Sequence, residues 1–473
     1  MQGPKPLPNG VWRPYDRAGR CMPRTFELAM PQDSPRVRID ALDWANALPI
    51  TRLLGAFRVA IAPAKMAPAV LLVVLMFLVG HGLDLMWGEP VVEGEFDRYL
   101  RDTPAEFEAW RGEQIAKRYG TETRGIFAAA LESELDAFQG FLGSAIRLDF
   151  GLDTIIDRQP VPEGVLGSLW IMVLGVPGWL LSTYPFFTGV LLLVGFLVLC
   201  ALGGFIARLA AVECCTGERG KIGEAASFVG RRYVWFFLCP VIPLAVALLL
   251  GLVLMLAGLV LFNLPGLDVA GALLLGLMLR IGSALAVIFP GLLCGGNRPF
   301  SALAVEGSDA FDAISRAYNY ALGRPLRFVV YTAGVILYGA ATYVLVGLVV
   351  FLTLWMTRRF LGVWAFAEVE PGTTRLEAML PSPRVGRPHA TADFGALQQS
   401  AWGTAAAGII TAWVQLLLAV LPAYALSYYF SAQTWVYLLL RRAADGTDYH
   451  EHDQDPGRGE DAPDKVEAAT ESA

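Results

Sequence analysis

The sequence predicts an all-α, polytopic helical membrane protein: six transmembrane helices, three cytoplasmic interfacial helices and a small helical extracytoplasmic cap. Three observations carry this prediction. Hydrophobic residues make up 55% of the 473 positions and charged residues only 17%, against about 25% charged in an average soluble protein. The apolar residues are gathered into uninterrupted runs, longer than the ~20 residues a helix needs to cross ~30 Å of hydrocarbon. A surface-type helix followed at once by such a run occurs three times.

The elements follow in order. Residues 1–38 are Pro- and Arg-rich with no apolar h-region before Met66, so they read as a disordered tail, and the first span serves as its own insertion signal. Residues 39–64 hold an interfacial helix with Ile50, Leu53, Leu54 and Phe57 on one stripe, and residues 65–87 form the first span. Residues 88–164 carry about twice as many acids as bases and read as the cap. Its helices are expected near Glu106–Tyr119 and over Ile126–Ile146, where Phe127, Leu131, Leu135, Phe138 and Leu142 recur at helical spacing.

Residues 165–186 are apolar enough to span, but Gly175, Pro177 and Gly178 interrupt them, and Trp170 and Trp179 favour an interfacial or re-entrant placement. Parity decides between the two. If this stretch crossed, the basic residues of 208–232, 298–327 and 441–442 would lie opposite those of the N-terminus. If it does not cross, all of them share the cytoplasmic side, as the positive-inside rule requires. Residues 187–356 then supply the second to fifth spans, with interfacial helices near 220–230 and 309–322. A loop over 357–404, a sixth span over 405–440 and an acidic, disordered tail over 443–473 complete the chain, both termini being cytoplasmic.

The repeated unit is clearest in its third copy. Asp309 suits an N-cap and Asp312 the position three residues on; Phe311, Ile314, Tyr318 and Leu322 share a face; Asp312 and Arg316 form an i,i+4 pair. Gly323 is expected to stop the helix, and Pro325, after Arg324, to start the next. In the second copy Ala211-Val212-Glu213 matches Ala304-Val305-Glu306 and Gly230-Arg231 matches Gly323-Arg324, with Ile222, Ala225, Ala226 and Val229 between them. The first copy has the stripe but not the Ala-Val-Glu element. Glu213 and Glu306 are expected to meet the arginine of their own repeat.

The strings EGSDAFDAISRAYNYALGRPLRF (Glu306–Phe328) and SYYFSAQTWVYLLLRRAADGTD (Ser427–Asp448), with ALGGFIARLAAVE and ALPITRLLGAFRVAIAPAKM, resemble a conserved, uncharacterised group of polytopic membrane proteins from planctomycete-type bacteria. More distantly, the Ala-Val-Glu-Gly, surface-helix, Arg, span arrangement is similar to glycerophosphodiester phosphodiesterase membrane domains and Yip1-like proteins. The resemblance implies a bacterial cytoplasmic (inner) membrane location and carries over no catalytic residue.

The inventory for chemistry is short. The four histidines, His81, His389, His450 and His452, form no metal-ligand spacing, and neither a phosphate loop nor a Gly-x-Ser-x-Gly elbow is present. The six cysteines contain no C-x-x-C pair. No catalytic residue, metal or cofactor is therefore assigned. The scattered cytoplasmic basic residues fit contact with membrane lipids rather than nucleic acid. Inside the membrane, Arg280 stands out, ~18 Å along the fourth span from Asp268. It either contacts an anion or lipid headgroup inside the bundle, snorkels to the cytoplasmic interface, or pairs with Glu213 or Glu306. His81 and Asp84, at i,i+3, read as a polar cluster anchoring the end of the first span or as a metal or proton site. Gln415 reads as a helix–helix hydrogen bond. Taken together these features predict a non-enzymatic, organising subunit with a protein partner or a homo-oligomeric state; the alternative is a transporter or lipid-handling protein for an anionic ligand.

Overall fold

The computed structural model describes residues 53–87, 91–117, 123–151, 163–263, 267–295, 298–370, 373–380, 397 and 401–446. The predicted N-terminal tail, the C-terminal tail beyond Gly446, the first part of the first interfacial helix and, within the predicted 357–404 loop, residues 371–372, 381–396 and 398–400 lie outside the described residues. Ala443–Asp445, expected to belong to the disordered tail, instead continue the last helix. The protein is an all-α polytopic helical protein, and among the described residues seven helical stretches are long and apolar enough to cross a membrane. Six correspond to the predicted spans. The seventh, Gly164–Thr183, is the stretch assigned above to an interfacial or re-entrant position.

Helix α1 (Gly55–Ala60) leads into α2 (Pro63–Trp87), the first span, with Pro63 at the helix start where a missing N–H costs nothing. The cap follows. It contains α3 (Glu95–Arg101), α4 (Pro104–Lys117) and the amphipathic α5 (Ile126–Arg147). A two-residue antiparallel pairing of β1 (Val91–Val92) with β2 (Thr123–Arg124), not foreseen in the sequence, ties the start of the cap to the start of α5. The buried side of α5 is the line Ile126, Ala130 and Ala137, while Leu135 of the expected stripe stays exposed.

Gly164–Thr183 comprises α6 (Gly164–Trp170), a π turn over Ile171–Gly175, and α7 (Val176–Thr183). Pro177 cannot donate to the helical ladder, and the wider π turn absorbs the defect. This composite helix packs mainly on α5 of the cap, and Trp179 sits fully buried in a core of its own with Val91, Phe107, Ile126 and Tyr184. The chain breaks at Tyr184 and enters α8 (Pro185–Thr216), the next span.

Helices α8, α9 (Ile222–Leu261), α10 (Asp268–Gly295), α11 (Arg298–Glu306), α12 (Ala310–Gly323) and α13 (Pro325–Leu361) hold the two well-matched repeats. The repeat is visible in the backbone. The helical path of α9 is broken at Arg232 (φ −111°, ψ 16°), which separates a surface part from a spanning part. The path from α12 to α13 is broken at Arg324 (φ −140°, ψ 65°), one residue before the position that matches Arg232. Gly323 itself does not adopt a left-handed stop; Pro325 ends the helix, since it disfavours helical geometry in Arg324 before it.

The predicted sixth span is two helices, α15 (Ala401–Leu418) and α16 (Val420–Asp445). Pro422 accounts for the break, because it lacks the N–H that would bond back to Leu418. Before them, β3 (Glu368–Glu370) pairs with β4 (Thr373–Thr374), and α14 (Arg375–Met379) begins with a capping box between Thr374 and Glu377.

Helix α16 is the hub. It packs on α1, α2, α8, α11, α12 and α13, and nearly every side chain from Ser427 to Arg441 is buried. Two glycines make this possible. Gly203 of α8 receives the ring of Phe430, and Gly339 of α13 receives that of Tyr428, and a Cβ on either would overlap the ring. Close approach of this kind, with hydroxyl-to-carbonyl bonds, holds helices together where lipid offers no hydrophobic contrast. Ser427 Oγ donates to Ala60 O at 2.7 Å and Tyr428 Oη to Val335 O at 2.8 Å.

Candidate functional site

The repeat glutamates meet cations, but not in the expected pattern. Glu213, in the last turn of α8, forms a buried ion pair with Lys65 in the first turn of α2, not with Arg231. Arg231 instead donates to Ser227 Oγ at 3.0 Å on an exposed face. Glu306, at the end of α11, lies 2.7 Å from Arg316 Nη1 and 3.8 Å from Arg441 Nε, and accepts a hydrogen bond from Tyr437 Oη. Of the two repeat glutamates, Glu306 alone meets an arginine of its own repeat among the described residues. Arg324 lies exposed at the break between α12 and α13.

The local reading of α12 holds in detail. Asp309 Oδ1 accepts from Asp312 N at 2.8 Å, and Arg316 Nε donates to Asp312 Oδ1 at 2.9 Å. That bond holds the Asp312 carboxyl below the ordinary carboxylate range. The face turned to protein is Ala310, Ala313, Ala317 and Tyr320, while Phe311 and Leu322 are exposed.

Two arginines that the sequence did not single out fasten one repeat to the next. Arg208 Nη1 donates to Ala304 O at 2.7 Å, and Arg232 Nε to Gly307 O at 2.9 Å. Both acceptors are carbonyls at the C-terminal end of α11, where cations are favoured. The ring of Phe228 lies between these guanidinium groups, 4.1 Å from Arg208 and 4.4 Å from Arg232. Arg298 is buried as well, donating to Thr332 Oγ1 at 3.0 Å and lying 3.7 Å from the Phe328 ring centre. These residues were hidden among many basic positions near span ends, where sequence alone reads only topology.

Arg280 is exposed on α10 and enters no ion pair among the described residues. It is not inside the bundle, and the two glutamates considered as its partners are engaged elsewhere. Gln415 is likewise exposed, on α15. Among the described residues helix α10 packs principally on α9 and makes no comparable contact with any other element.

At the other end of α2, Asp84 supplies a cap across elements. Its carboxylate accepts from the backbone N–H groups of Phe127 (2.8 Å) and Ala128 (3.2 Å) at the start of α5. His81 packs between Phe77 (tilted) and Phe127 (edge-on), with ring centres 4.1 and 5.3 Å away. The pair is thus a polar anchor between the first span and the cap. Among the described residues no three His, Cys, Asp or Glu side chains come together as a metal site would require.

The cap contains a buried ionic lock that the sequence did not disclose. Glu95, 1% exposed, accepts from Tyr184 Oη at 2.9 Å and Val92 N at 3.3 Å. Arg111 Nε lies 3.5 Å from Glu95 Oε1, and the guanidinium sits 4.8 Å from the Tyr184 ring centre. The lock joins α3, α4 and the junction of α7 with α8. Beside it opens a cavity of about 530 Å³, lined in part by Tyr99, Phe107, Arg111 and Trp170. No family model, curated protein or solved structure matches the chain.

Proposed function

We propose that this protein is a non-enzymatic subunit of the bacterial cytoplasmic membrane that organises a complex, binding a partner membrane protein along α10. The observation that carries the reading is Arg280. Along α10 it stands ~18 Å from Asp268 and ~22 Å from Gly295, near the middle of any bilayer the helix crosses. An arginine at that depth costs about 2.5–3.5 kcal/mol on insertion scales and persists where it snorkels to the interface or finds a partner. The carboxylates Asp84, Glu213 and Glu306 are already engaged within the chain. The partner that fits is a second membrane protein whose transmembrane helix presents a carboxylate to Arg280.

The same reading places both termini in the cytoplasm and keeps Gly164–Thr183 with the cap rather than across the membrane. Its support is the packing of that helix on α5 and the sidedness of the basic residues. The alternative, transport of an anion past Arg280, loses support from the exposure of that residue outside the bundle. Lipid handling draws on a different feature, the cap cavity.

Native mass spectrometry of tagged protein, gently extracted from its host membrane, tests the proposal. The expected result is a stoichiometric membrane-protein partner that Arg280→Met releases and Arg280→Lys retains. A wild-type protein that is monomeric or purely homo-oligomeric, or a partner indifferent to Arg280→Met, overturns it.

A further inference from the structure

The cap cavity has features that the organising role does not use. At about 530 Å³ it falls in the size range of small-ligand pockets. Its apolar wall is aromatic, made by Tyr99, Phe107 and Trp170. Its charged lining is mixed: Arg111 supplies a cation, and Asp102 and Glu108 supply carboxylates. Arg111 is held from behind by the Tyr184 ring and by Glu95, toward whose carboxylate its buried Nε is turned at 3.5 Å. Asp102 is paired with Arg98 at 3.3 Å on an exposed edge. Glu108 lies one helical turn from Arg111 on α4, so the cavity presents a fixed cation and a carboxylate side by side.

Its position adds a second constraint. Tyr184 joins α7 to α8 directly before the span begins, and Ser182 and Thr183 line the cavity. With Gly164–Thr183 kept with the cap, as proposed above, the site lies at the membrane boundary on the cap side, with Trp170 and Ile115 partly exposed within it. Aromatic rings at that level suit groups that are wet at one end and apolar at the other. Alkylated ammonium groups are also drawn to aromatic faces.

We propose that this cavity binds a zwitterionic ligand bearing a phosphate or carboxylate beside an ammonium group. Arg111 receives the anionic oxygens, Glu108 the ammonium, and Trp170 with Tyr99 and Phe107 the adjoining apolar part. A zwitterionic lipid headgroup and a free small zwitterion share this chemistry. The inference is independent of Arg280 and its partner.

The test uses the full-length protein in lipid nanodiscs, with tryptophan fluorescence and native mass spectrometry as readouts. Three probes are titrated: phosphatidylethanolamine, phosphatidylglycerol, and soluble glycerophosphoethanolamine without added lipid zwitterion. Saturable binding of about one phosphatidylethanolamine per chain, weakened about tenfold or more by Glu108→Gln with phosphatidylglycerol unaffected, is the expected result. Saturation by the soluble probe alone identifies a free zwitterion as the source; saturation by the lipid alone identifies the headgroup. Trp170→Leu, at a partly exposed position outside the ionic lock, should weaken the same probe without changing the unfolding temperature. Equal affinity for phosphatidylglycerol, an effect of neither substitution, or no saturable binding of any probe overturns the inference.

Discussion

Replacing Lys65 with Met should destabilise the bundle far more than removing both members of its ion pair. Lys65 is 2% exposed and Glu213 11%, and the two join the first turn of α2 to the last turn of α8. The helices run in opposite directions, so Lys65 lies against the negative end of α8 and Glu213 against the positive end of α2. Removing the cation leaves the carboxylate buried without compensation, a change that costs about 3–5 kcal/mol. Lys65→Met combined with Glu213→Gln removes both charges and should recover more than half of that loss, because no charge is then stranded. Thermal unfolding in detergent with a thiol-reactive dye suits the measurement, since Cys200, Cys214 and Cys239 are buried and free. The single variant should melt at least about 5 °C below the parent. A single variant that melts with the parent, or a double variant no more stable than the single, refutes the reasoning.

Two further outcomes concern the cap. Asp84→Ala should cost about 1 kcal/mol by removing the cap of α5, and proteolysis of the cap should quicken before the spans are affected; equal loosening of both regions counts against it. Burial pushes the Glu134 carboxyl of α5 up to about 7. An acid whose folded value is raised contributes most stability below its unfolded value near 4.5, and that contribution disappears as pH rises through 7. The protein should thus lose stability between about pH 4.5 and 7, by an amount of order 3 kcal/mol at most. Glu134→Gln should flatten that part of the profile in melts taken across this range, and an unchanged slope removes Glu134 as its cause.

Much of the fold was legible in the sequence, and for a simple reason. Hydrocarbon forces every backbone group into local hydrogen bonds, so long apolar runs such as Pro325–Leu361 can only be helices. The same locality made α12 readable down to the Asp309 cap and the Asp312–Arg316 pair, which depend on residues three and four apart. The broken span at Ala419 was also within reach, since Pro422 marks it.

What the sequence could not assign was partnership. Lys65 and Glu213 lie far apart in the chain, and nothing local distinguishes Lys65 from Arg231 as the cation for that glutamate. Asp84 caps a helix in another element, and Arg208 binds a carbonyl of the following repeat. Glu95 looked like one acid among many in an acidic segment until Tyr184 and Arg111 were brought to it. Helix α16 looked like any other span, yet it is the axis on which the bundle packs. Composition and periodicity therefore determined that this chain forms helices suited to a membrane. The tertiary structure alone decided which charges meet, because ion pairs and ring contacts depend on distances that only packing sets.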